Sequence, residues 1–139
     1  MKQVQRIFKH FSLVLPIVLL TSCGLGNSPE KILKHASEEA NKTCPVRVDE
    51  MTVLKETFYE NHCFYYIYEL DNVPDSEIFM EIDDEVLEDY LCKEIKENAR
   101  VNSDVRAFHE TLRQDNAKLI HRYVMTDGSG RMREFEVEY

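Results

Sequence analysis

Cys63, Phe64, Tyr65, Tyr66, Ile67, Tyr68, Glu69 and Leu70 follow one another in the middle of the chain. Successive side chains of a strand point to opposite faces, so Phe64, Tyr66, Tyr68 and Leu70 share one face, and Cys63, Tyr65, Ile67 and Glu69 share the other. Aromatic and β-branched residues suit such a pleated, half-buried surface. The first face is heavily apolar and demands a core beneath it. The second is also largely covered; if it is exposed, Tyr65 and Ile67 form a patch suited to a protein partner.

On the N-terminal side, Val46, Val48, Met51, Val53 and Thr57 read as an extended segment with an irregularity near Asp49 and Glu50. Glu60 and Asn61 then turn it into the aromatic strand, which gives a hairpin over about 46–70. A second hairpin, over about 118–139, is signalled by Leu119, Tyr123 and Met125, the turn residues Asp127, Gly128, Ser129 and Gly130, and the alternation of Phe135, Val137 and Tyr139 with Glu134, Glu136 and Glu138.

Helical periodicity fills the remaining segments. Ser28 reads as an N-cap, Pro29 as the first helical residue and Glu30 as a first-turn acid, ahead of the stripe Ile32, Leu33, Ala36 and Ala40; Pro45 bounds this helix, predicted over 29–43. Val86, Leu87, Tyr90, Leu91 and Ile95 predict a helix over 82–99, and a start at Asn102 or Ser103 precedes Val105, Phe108 and Leu112 in one over 103–114. The stretch 76–82 reads equally as helix or strand. These elements predict an α+β fold: a four-stranded antiparallel sheet from two hairpins, with helices packed on one face, in a single domain over 29–139.

The N-terminus speaks to location. Lys2, Arg6 and Lys9 precede a nine-residue apolar run, Ser12 to Leu20, interrupted by Pro16 and too short for the roughly 20 residues that a membrane-spanning helix needs. Leu20, Thr21, Ser22 and Cys23 follow, and this segment resembles the leader and lipobox of bacterial lipoprotein precursors. The resemblance implies cleavage between Ser22 and Cys23, loss of the signal peptide 1–22, and acyl chains on Cys23 that hold the protein in the bilayer of the cell envelope. It also implies that outer-membrane sorting is permitted, because Gly24 stands where an inner-membrane retention signal has Asp. Residues 23–28 would then be the lipidated cysteine and a short tether. The stretch containing Asn41, Cys44, Pro45, Val46, Asp49, Thr52 and Leu54 also looks like a pattern of small exported bacterial proteins of unknown function.

Cleavage at that point leaves 117 of the 139 residues, with 14 basic and 26 acidic side chains and a formal charge of −12. That sign excludes nucleic acid as a natural partner, since affinity for it comes mainly from Lys and Arg on phosphates. Three cysteines remain. Cys44 and Cys63 are predicted at opposite ends of one hairpin, so the alternatives are a disulfide from Cys92 to Cys44 or Cys63, or three free thiols.

Catalytic and metal-binding signals are missing. His109, Glu110, Thr111, Leu112 and Arg113 open like a zinc-protease helix but lack the second histidine one turn on. The acids Glu81, Asp83, Asp84, Glu85, Glu88 and Asp89 lie largely on a predicted helix, where they diverge rather than converge on calcium. No nucleophile elbow, phosphate loop or dinucleotide fingerprint is present. The expectation is a noncatalytic envelope lipoprotein, without cofactor, that binds a protein partner or ligand. An envelope hydrolase with a His and carboxylate site is the alternative, and an inhibitor or immunity-type protein a further one.

Overall fold

The computed structural model describes residues 27–139. The leader, the cleavage site at Ser22 and Cys23, and Gly24 lie outside the described residues.

The chain opens with α1 (Pro29–Asn41), capped as its sequence predicts: the Ser28 hydroxyl accepts the Lys31 N–H, and Pro29 occupies the first turn, where no N–H partner is required. Then come β1 (Val46–Arg47), β2 (Thr52–Glu60) and β3 (Cys63–Leu70). The irregularity near Asp49 is a tight corner, in which Asp49 Oδ1 accepts the N–H groups of Met51 and Thr52 at 2.8 and 2.9 Å. This corner separates β1 from β2 and turns the predicted single strand into two antiparallel partners. Asn61 and His62, both at positive φ, close the hairpin between β2 and β3.

Three helices follow: α2 (Pro74–Glu81), α3 (Asp84–Val101) and α4 (Ser103–Asp115). The ambiguous stretch 76–82 is therefore helical as far as Glu81, and extended backbone at Ile82 separates α2 from α3. Asn102 caps α4 through its side chain, and Asn116 ends it in the left-handed region. The chain finishes with β4 (Lys118–Met125) and β5 (Met132–Val137), an antiparallel pair around the predicted turn.

The predicted four-stranded antiparallel sheet is corrected in two respects. The sheet has five strands, in the order β1-β2-β3-β4-β5, and it is mixed because β3 and β4 pair in parallel, from Cys63 with Lys118 to Leu70 with Met125. The reason lies in the connection. Helices α2 to α4 carry the chain back to the end of the sheet where β3 began, so β4 starts beside β3 and runs the same way.

The helices cover one face, and there Phe64, Tyr68, Leu70, Leu119 and Tyr123 meet Leu33, Phe79, Leu87, Leu91, Ile95 and Leu112 in one core. Tyr68 stacks on Tyr123 with ring centroids 4.9 Å apart, and Phe64 meets Phe108 edge to face at 5.0 Å. Among the described residues, no helix is long and apolar enough to cross a membrane.

Candidate functional site

The strand registers define the face that the helices among the described residues leave uncovered. Phe58 on β2 lies beside Tyr65 on β3, which lies beside Ile120 on β4 and then Glu136 on β5; the next row brings Glu56, Ile67, Arg122 and Glu134 together. Phe58 and Tyr65 stack at 4.2 Å, nearly parallel. The Arg122 guanidinium sits 5.5 Å from the centre of the Tyr65 ring and binds Glu134 at 2.7 Å. Lys118 with Glu136 and Lys55 with Glu69, each at 3.0 Å, add two more ion pairs.

Tyr65 and Ile67, paired from the sequence as a patch, do share this face. They differ in access: Tyr65 is half-buried, whereas Ile67 is only 7% exposed and Ile120 only 8%. The accessible apolar surface is therefore centred on the half-buried Phe58 and Tyr65 rings.

A second constellation lies at one end of the sheet and was not visible in the sequence. Asp115, the last residue of α4, keeps only 6% of its side chain exposed. Its Oδ2 accepts the Tyr59 hydroxyl and lies 3.0 Å from His62 Nδ1, while the Asp115 carbonyl oxygen lies 3.1 Å from the same nitrogen. With two acceptors around it, Nδ1 carries the proton, which leaves Nε2 of this exposed ring as the free base in the neutral tautomer. Hydrogen bonding to Asp115, then its charge, raises the His62 pKa; burial, then the Asp115 bond, raises that of Tyr59.

The other histidines divide. His35 is exposed on α1, but His109 and His121 are buried. Among the described residues, both ring nitrogens of each lack a hydrogen-bond partner, and burial pushes their pKa values down to about 4 and about 3. His121 lies among the rings of Tyr66, Tyr68 and Tyr123, and among the described residues no carboxylate bonds it. Neither histidine therefore forms the carboxylate-assisted site that hydrolysis needs.

Cys44, Cys63 and Cys92 are free thiols, each half-buried. Cys44 and Cys92 pack against the core, and the Glu138 N–H donates to Cys92 Sγ at 3.3 Å. Cys63 begins β3 on the helix-free face. Among the described residues, no group of three or more His, Cys, Asp or Glu side chains is arranged to hold a metal ion.

The chain belongs to the family described as Domain of unknown function (DUF8479), whose model matches residues 27–127. No curated protein matches it. Among solved structures, the crystal structure of a "putative secreted protein" from Pseudomonas aeruginosa is similar, with a TM-score of 0.53 and 16% sequence identity, covering 80% of this chain and 96% of the other. At that identity the likeness is one of fold.

Proposed function

We propose that this member of the family is a lipoprotein of the bacterial cell envelope, anchored through acyl chains on Cys23, whose domain is a noncatalytic module that binds a protein partner on the helix-free face of its sheet. The observation that carries the binding role is the stacked Phe58 and Tyr65 pair, braced by Arg122 and Glu134 on a face that no helix among the described residues covers. Aromatic side chains with an arginine beside them are the residue types that anchor protein interfaces. The lipobox supports the anchor, and the description of the similar Pseudomonas aeruginosa structure as a secreted protein is in keeping with export.

A photocrosslinking side chain placed at position 65 or 101 in living cells tests the binding role, because Val101 is exposed at the end of a helix. A discrete adduct from position 65, lost in Phe58→Ser and absent from position 101, is expected; equal adducts from both positions sink the proposal. The anchor is tested by intact mass: the diacylglyceryl increment is present in the full chain and absent in Cys23→Ser. In the inhibitor or immunity version the partner is basic, attracted by the formal charge of −12, and its capture weakens at moderate salt.

The His62 and Asp115 pair favours a second reading, an envelope hydrolase with His62 as its base. Turnover of a cell-wall, peptide or ester substrate that His62→Gln abolishes would establish it.

A further inference from the structure

The ends of several elements gather at one pole of the domain. Strand β2 ends and β3 begins at Asn61 and His62, α4 ends at Asp115 against His62, and β4 begins at Lys118, whose N–H donates to the His62 carbonyl at 2.8 Å. Tyr139, after β5, bonds the Ala117 carbonyl at the same pole. Helix α1 also starts there, because Glu30 lies near enough to Tyr59 and His62 to raise the pKa of both, whereas Asn41 at its other end binds Thr57 farther back along β2. The opposite pole holds the start of β2, the ends of β3 and β4 and the Asp127–Gly130 turn, joined by Asp71 N–H to Met51 O and Thr126 N–H to Leu70 O. Strands of eight residues put about 26 Å between the two poles.

Charge divides along the same axis. Arg131 binds Glu77 at 2.7 Å and Arg133 binds Asp84, which places the acid-rich end of α2 and start of α3 at the pole of the Asp127–Gly130 turn. The first pole exposes fewer acids, Glu30, Glu60, Glu136 and Glu138, beside Asn61, His62, Asn116 and Lys118, the last of which is paired with Glu136. From Cys23 to α1 the tether Gly24 to Asn27 is four residues, at most about 14 Å.

We infer that the pole of Asn61, His62 and Asn116 stands against the lipid headgroups and the acidic pole faces away, so that a partner held in the same membrane reaches the Phe58 and Tyr65 end of the helix-free face first. The inference rests on the lipid-anchor reading above. Anionic headgroups repel acidic side chains, and the orientation keeps the densest group of them about 26 Å farther from the bilayer. Phe58 and Tyr65 each lie two positions from the membrane-side ends of their strands.

The chain contains no tryptophan, so a single introduced one reports its own surroundings. The lipidated full-length protein is placed in vesicles of phosphatidylethanolamine and phosphatidylglycerol that carry a headgroup-nitroxide lipid, with Glu60→Trp at one pole or Met132→Trp at the other. Both sites are exposed strand ends, so neither substitution disturbs the core. Quenching of Glu60→Trp emission, with Met132→Trp emission unchanged, is expected. Equal quenching, or quenching of Met132→Trp alone, overturns the orientation while leaving the anchor intact. Protein that lacks the acyl increment and washes off the vesicles overturns the anchor and the orientation together.

Discussion

Asp115 reaches His62 across 53 positions of sequence, its Oδ2 3.0 Å from the imidazole Nδ1. Each residue needs the other's corner of the chain to be in place. His62 occupies the left-handed region in the turn between β2 and β3, and Asp115 precedes Asn116, left-handed at the end of α4. The pair ties a hairpin to a helix terminus, and Tyr59 completes it from beneath.

Removing one partner strands the carboxylate. Tyr59→Phe deletes a hydrogen bond to a nearly buried anion and should destabilise the domain by about 2 kcal/mol in urea unfolding. Asp115→Asn should return the His62 pKa toward 6.5, read from imidazole chemical shifts. In the wild-type protein the folded pKa is raised, so this contribution to stability is full below pH 6.5 and is lost as pH rises through the folded value. An unchanged His62 titration in Asp115→Asn would show that the contact does not form.

His109 and His121 act in the opposite sense. Burial holds their folded pKa values at about 4 and about 3, against 6.5 for an ordinary imidazole. Below pH 6.5 the unfolded chain takes up protons that the folded one refuses, so stability falls with pH until the folded values are reached. Each histidine should remove about 2 kcal/mol at pH 5 relative to pH 8. His121→Phe, which keeps a ring among Tyr66, Tyr68 and Tyr123, should flatten that acid limb. An acid limb as steep as the wild type's would mean that His121 is protonated or hydrated in the fold.

Local chemistry made the elements legible in the sequence, and long-range direction did not. Ser28 and Asn102 cap as their side chains dictate, and Gly128 and Gly130 take the positive φ that the turn requires. Alternation in Phe64 to Leu70 and in Leu119 to Met125 identifies faces, yet it is identical for parallel and antiparallel neighbours. The pairing of β3 with β4 therefore depended on where three intervening helices deliver the chain. The site shows the same division. Tyr65 and Ile67 were readable as one face, whereas alternation does not tell the half-buried Tyr65 from the buried Ile67, and His62 with Asp115 had no shared motif to betray them.

Asn41 supplies a test of how the sheet edge is closed. Strand β1 pairs only with Val53 and Leu54, so among the described residues the rest of that edge of β2 has no strand beside it. The Asn41 side chain takes that place: its Nδ2 donates to the Thr57 carbonyl at 2.8 Å, and its Oδ1 accepts the Thr57 N–H at 2.7 Å. Asn41→Ala leaves both backbone groups unpaired in a half-buried site and should cost about 2 to 3 kcal/mol. The Thr57 amide should also lose its protection from hydrogen exchange, and retained protection would mean that water substitutes for the side chain.

The thiols give the last prediction, because an exported compartment would oxidise any pair in bridging geometry. Cys44 and Cys92 contact the core from different elements, Cys63 stands on the opposite face of the sheet, and all three are free. Alkylation of the unfolded, unreduced protein should therefore modify Cys44, Cys63 and Cys92 together. In the folded protein Cys44 should react more slowly than an ordinary thiol, since burial and the nearby Glu56 charge raise its pKa and thin the thiolate population. Modification of only one of the three would establish a disulfide. Protection of Cys92 with either partner would require α3 to move from its place beside β5, where Cys92 Sγ now accepts the Glu138 N–H.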